Sequence, residues 1–212
     1  MDFSKLRFNE IYKSVRENYM HIGMQDALII IDLQNDFLPG GSLAVHDSQR
    51  IIPFINRLTR LPFQTVVATQ DWHPDDHCSF PEREGHWPVH CIKGTTGAEL
   101  SPLLNSDNIN VIIRKGTKRE VDSYSAFFDN DGMNPTGLKG ILADQNINRV
   151  FICGLAYDVC VFYTAKHAVR LGYDTYVLMD ASASAKTPIN DVNDILLSEG
   201  IKIISTESLC DV

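Results

Sequence analysis

Six short apolar runs punctuate the chain, at 27–32 (ALIIID), 65–69 (TVVAT), 111–114 (VIIR), 150–153 (VFIC), 175–179 (TYVLM) and 201–205 (IKIIS). They are continuous rather than alternating, the pattern of strands covered on both faces, as in parallel sheets. Between them lie stretches of helical spacing. In 49–61, Ile51, Ile52, Ile55 and Leu58 share a face, with Pro53 in the first turn where it is tolerated. Further helices are predicted over 138–145, from 159 to about 172, and over 190–198. Strands alternating with helices imply right-handed crossovers and helices on both faces. The expected fold is therefore α/β: three layers, α/β/α, about a six-stranded, mostly parallel sheet. No linker or repeat divides the 212 residues, so one domain is expected over 25–212. It follows an extension over 1–24, where Phe3, Leu6, Ile11, Val15 and Tyr19 recur at helical spacing. That extension is read as a helix packed on the domain or on another subunit, with a disordered tail as the alternative, so a homo-oligomer is among the expectations.

A formal net charge of -8 argues against nucleic acid as the main partner. There is no run of about 18 apolar residues to span a membrane, and residues 1–10 lack a signal-peptide core. Five cysteines without a CxxC pair fit a reducing, cytoplasmic setting better than a disulfide framework.

Polar residues gather where the runs end. Asp32 closes the first run, Asp71 and His73 follow the second, Lys115 the third, and Cys160 comes shortly after the fourth. Ligands bind outside the carboxyl ends of strands in open parallel sheets, and neighbouring strands are only about 4.8 Å apart. Cys160 sits in the first turn of a predicted helix, where free N–H groups and the helix dipole favour a thiolate. A core cysteine is the plainer alternative. A carboxylate can take the thiol's proton but its charge opposes the thiolate, by about 4 kcal/mol at 4 Å and an effective dielectric of 20. An ammonium offsets that repulsion. Asp32, Lys115 and Cys160 therefore make sense together as base, charge balance and nucleophile.

A second group comprises Asp71, His73, His77 and His90, donors that suit Zn, Fe or Mn. Glu82 and Glu84 could complete a shell, and the long irregular stretch 74–97 that carries them is of a length usually functional. Hydrogen-bonded loop histidines account for the same residues equally well.

Five segments, IDLQNDFLPGGSL (31–43), TQDWHPDDHCSF (69–80), HWPVHCIKGTTGAEL (86–100), RKGTKREVDSYSAF (114–127) and GLAYDVCV (154–161), resemble the isochorismatase-like cysteine hydrolases in order and register. Within that family they are similar to the nicotinamidase/pyrazinamidase group. The resemblance implies a Rossmann-like fold and an amidohydrolase of NAD salvage, acting on nicotinamide and also on pyrazinamide. It implies Asp32, Lys115 and Cys160 as the catalytic triad. Asp71, His73 and His90 become ligands of a divalent metal, zinc before iron or manganese, with His77, Glu82 or Glu84 joining in some members. Phe37 and Trp87 would sandwich the substrate ring and Tyr124 would line the pocket. A cis peptide at Leu155–Ala156 and an oxyanion hole from the N–H groups of Ala156 and Cys160 are implied as well. The alternative reading is another amidohydrolase of the family, acting on a ureido or carbamoyl substrate without a ring-binding metal.

Overall fold

A computed structural model describes residues 19–210. Strands β1 (Met20–His21) and β2 (Asp26–Ile31) lead to helix α1 (Ile52–Leu58), entered through a 3-10 turn over Ser48–Ile51. Then come β3 (Thr65–Asp71), β4 (Val111–Lys115), α2 (Leu138–Asp144) and β5 (Arg149–Leu155). A π-type turn over Tyr157–Val161 opens into α3 (Phe162–Arg170), followed by β6 (Asp174–Ala183), α4 (Ile189–Ser198), β7 (Lys202–Ile204) and β8 (Leu209–Cys210).

Six strands form one sheet in the order β4-β3-β2-β5-β6-β7, and every neighbouring pair is parallel. The expected three-layer α/β architecture follows from how β2 is buried. Leu28 and Ile30 pack on one face with Ile52, Ile55 and Leu58 of α1. Ala27, Ile29 and Ile31 pack on the other with Leu138 and Leu142 of α2, Ala165 of α3 and Leu196 of α4. Both faces are dry, so no polar alternation survives in the sequence. Each such side chain contributes about 1.5–3 kcal/mol when fully buried.

The element ends differ from expectation where polar residues continue a strand. β3 runs on through Gln70 and Asp71, because both remain in register with Arg114 and Lys115. β5 does not stop at Gly154 but reaches Leu155. Gly154 has φ +114°, and a Cβ there would lie 2.2 Å from Ile31 O, so only glycine lets β5 press this closely against β2.

The helix expected over 1–24 lies almost wholly outside the described residues. At its described end, Met20 and His21 are strand, pairing in parallel with Leu209 and Cys210, and Ile22 is buried in the core. Among the described residues no helix is long and apolar enough to cross a membrane.

Candidate active site

The carboxyl ends of β2, β3 and β4 and the turn after β5 converge. Asp32, just past β2, adopts φ 46°, a left-handed conformation that aspartate tolerates better than most residues. Thr69 of β3 holds it twice: Thr69 Oγ1 donates to Asp32 Oδ1 at 2.6 Å and accepts from the Asp32 N–H at 3.0 Å. Lys115, the last residue of β4, reaches across β3 to the same place. Its ammonium donates to Asp71 Oδ1 at 2.6 Å, to Ser123 O at 2.9 Å and to Cys160 Sγ at 3.5 Å. Those three bonds use its three protons. Asp32 Oδ2 stands 2.8 Å from Lys115 Nζ as an ion pair, yet it is left without a hydrogen-bond partner of its own. One carboxylate oxygen is therefore free for a proton, and one oxygen each of Asp32 and Asp71 lies within 4.8 Å of the Cys160 sulfur.

Burial governs the protonation states. It lifts the Asp32 carboxyl to about 6, with Lys115 pulling down and the charge of Asp71 pushing up. It also pushes the Cys160 thiol well above its ordinary value; Lys115 opposes this, but Asp32 and Asp71 reinforce it. Burial disfavours the Lys115 ammonium too, but Asp32, Asp71 and Cys160 outweigh that and hold it well above its ordinary value. The resting site is thus an ammonium, two carboxylates and a neutral thiol. The helix-end position favours a thiolate, whereas burial, Asp32 and Asp71 push the thiol the other way.

Beside this cluster lie Asp71, His73 and His90. His73 Nε2 and His90 Nε2 are 3.8 and 3.9 Å from Asp71 Oδ2. Each ring's other nitrogen is bonded to a backbone carbonyl, His73 Nδ1 to Gly116 O at 2.8 Å and His90 Nδ1 to Pro88 O at 2.7 Å. A carbonyl only accepts, so both Nδ1 atoms carry the proton and both Nε2 lone pairs are free. A carbonyl that holds the far nitrogen of an imidazole in this way fixes the tautomer and aims the other nitrogen at a metal. Gly116 makes the His73 bond achievable: φ is +60°, and a Cβ would meet the His73 ring at 2.4 Å. One carboxylate and two imidazoles with free Nε2 atoms fit a divalent cation.

Sequence neighbours in the loop divide. His77 is buried, stacked on His73 at 4.1 Å between ring centroids, and grouped with His73 and Asp122 rather than with Asp71 and His90. Glu82 and Glu84 are exposed and belong to no potential ligand cluster among the described residues.

A cavity of about 220 Å³ opens onto these groups. Asp71, His90 and Cys160 line it, as do Phe37, Trp87, Tyr124 and Ala156. Trp87 Nε1 donates to Tyr124 Oη at 3.0 Å. The Leu155–Ala156 peptide is cis.

An Isochorismatase domain family model matches residues 26–207. The chain belongs to the isochorismatase family. A nicotinamidase of Acinetobacter baylyi is 40% identical over 201 residues, covering 86% of this chain and 94% of the relative. PnC1 of L. infantum, solved in complex with nicotinate, superposes with a TM-score of 0.89 at 41% identity, covering 92% of this chain and all (100%) of that one. A pyrazinamidase of Pyrococcus horikoshii, solved in complex with zinc, gives 0.77 at 38% identity, over 85% and 99%.

In this isochorismatase-family chain the convergence also recruits residues that strand-end reasoning overlooked. Thr69 orients Asp32. Gln34 clips β3 in place: its side chain accepts from the Asp71 N–H and donates to Asp71 O, both at 2.8 Å. Ser123 contributes a backbone carbonyl to Lys115. The available signal was position: each lies within one of the five segments.

Proposed function

We propose that this chain is a nicotinamidase, hydrolysing nicotinamide to nicotinate and ammonia in NAD salvage and accepting pyrazinamide as well. The observation that carries the reading is the sharing of one ammonium by Asp32, Asp71 and Cys160, with Asp71 also belonging to the histidine cluster. The nucleophile and the cation-binding group are thereby joined through a single carboxylate in one cavity.

Asp32, Lys115 and Cys160 are the proposed catalytic residues. The aromatic amide lies between Phe37 and Trp87, with Tyr124 beside it. The Cys160 thiol gives its proton to Asp32 as sulfur attacks the amide carbon, and Lys115 balances the charge. The carbonyl oxygen, now negative, is held by the N–H groups of Ala156 and Cys160; removing one such donor typically costs about 100–1,000-fold in rate. Asp32 passes its proton to the leaving nitrogen, the C–N bond breaks, and ammonia departs from a thioester on Cys160. Asp32 then takes a proton from water, the water oxygen displaces sulfur, and the proton returns to the thiolate as nicotinate leaves. Asp71, His73 and His90 would hold a divalent ion, zinc by preference; when bound it supplies a Lewis-acidic anchor for the pyridine nitrogen. All five cysteines are free, in keeping with a cytoplasmic enzyme.

The test is ammonia and nicotinate release after chelation and after adding back Zn, Fe or Mn. Hydrolysis of nicotinamide and pyrazinamide, lost on chelation and restored by metal, is expected. No release from either amide with metal restored, or release from a carbamoyl substrate alone, would refute the reading.

A further inference from the structure

The turn that carries Cys160 also carries a carboxylate with no part in the chemistry above. Asp158 is half-buried and accepts three backbone N–H groups from one segment, those of Ala185 at 2.8 Å, Lys186 at 2.9 Å and Thr187 at 2.8 Å. Hydrogen bonds to an ionised acceptor are about twice as strong as neutral ones, so this is a firm tether. The tethered segment follows β6 and contributes Ala185 and Lys186 to the cavity wall. Lys186 Nζ lies over the Trp87 ring, 4.4 Å from its centroid. Trp87 is fixed at its edge by Tyr124. A continuous chain of contacts thus runs from Asp158 through Lys186 and Trp87 to Tyr124, and Cys160 lines the same cavity two residues along the turn.

We propose that Asp158 is a positioning residue for the aromatic subsite: by tying residues 185–187 to the nucleophile's turn it holds the Lys186 ammonium over Trp87, and this pair sets how tightly the cavity holds a substrate ring. The inference rests on the nicotinamidase reading. Asp158 touches no reacting atom, so its effect falls on KM rather than on kcat. The size is modest because Lys186 is exposed, about two- to fivefold for a cation–π contact of this kind.

The experiment is steady-state kinetics of the full chain with nicotinamide and saturating metal. Lys186→Gln raises KM about two- to fivefold with kcat little changed. Lys186→Arg restores KM, since a guanidinium also sits over an indole. Asp158→Asn keeps the volume but turns one acceptor into a donor facing N–H groups, and raises KM at least as much. In the double variant Asp158→Asn with Lys186→Gln, KM rises no further than in Asp158→Asn alone, because both act through one contact. Additive increases, an unchanged KM in Lys186→Gln, or a fall in kcat alone in Asp158→Asn would overturn the proposal. If Asp158→Asn does not fold, the Lys186→Gln and Lys186→Arg pair still decides. Absence of ammonia release by the unsubstituted protein would overturn the functional reading, and this inference with it.

Discussion

Two ion pairs stand at opposite ends of the sheet, one partly exposed and one fully buried. At the amino end, Arg149 of β5 grips Asp26 of β2 with a fork, Nε to Oδ1 and Nη2 to Oδ2, both at 2.6 Å. The guanidinium also donates to His21 O at 2.8 Å, and Asp26 Oδ2 accepts the Gly23 N–H at 2.7 Å. One cation meets one anion, and both carboxylate oxygens are satisfied. At the carboxyl end, one ammonium serves two carboxylates and a thiol, and Asp32 Oδ2 has no hydrogen bond. Both pair a basic side chain with a buried carboxylate, but Arg149 is 25% exposed where Lys115 is fully buried, and the stoichiometry differs. A saturated pair links strands. An oversubscribed cluster leaves the Asp32 carboxyl raised to about 6, beside a Cys160 thiol pushed well above its ordinary value, the arrangement the proposed proton transfer needs.

That contrast can be broken by substitution. The largest effect belongs to Cys160→Ala, expected to remove ammonia release by at least about 10⁴-fold while leaving the circular dichroism spectrum unchanged. Turnover near the original rate would place the chemistry elsewhere. Asp32→Asn comes next, with a loss of about 10²–10⁴-fold. It should also stabilise the metal-free protein at neutral pH. The folded carboxyl titrates near 6 against 3.8 when unconstrained, so the folded state holds a proton that the unfolded state has released. Stability from this group is present below pH 3.8, declines as pH rises to about 6, and stays lower above it. A neutral amide avoids that penalty, by about 1–3 kcal/mol. A lower melting temperature for Asp32→Asn would contradict the assignment of burial as the dominant influence.

The same carboxyl predicts the pH profile. Asp32 must be ionised to accept the thiol proton, so kcat/KM should fall about tenfold per unit as pH drops through its titration. That limb lies near 6 without a cation, and a bound cation moves it lower. A flat profile through this range would remove Asp32 as the base. The smallest effect on catalysis belongs to Arg149→Ala, which should leave kcat/KM unchanged. It should cost about 1–3 kcal/mol in chemical denaturation, by stranding Asp26.

Much of this was legible before any coordinates. The six strands announce themselves because both faces of β2, β3 and β5 are dry, and Asp32, Lys115 and Cys160 follow three apolar runs. What stayed hidden has physical causes. β3 carries on to Asp71 by backbone pairing, which has no hydropathy signal. Ser123 acts through its main-chain carbonyl and Gln34 through a backbone clip, and neither role has a residue signature. The helix-end position of Cys160 is visible in sequence, but its burial, 7% exposed beside two acids, is not, and burial opposes the expected thiolate. Glu82 and Glu84 share a loop with His77 and His90 yet point to solvent, since closeness along an irregular stretch does not fix closeness in space.

In the proposed mechanism the sulfur of Cys160 forms the covalent intermediate, with Asp32 as its proton partner. Acid quench of the metal-loaded protein during nicotinamide turnover, followed by peptide mass spectrometry, tests it directly. A nicotinoyl group on the peptide containing Cys160 is the expected result. An unmodified Cys160 throughout turnover, together with nicotinate formation by Cys160→Ala, would contradict it.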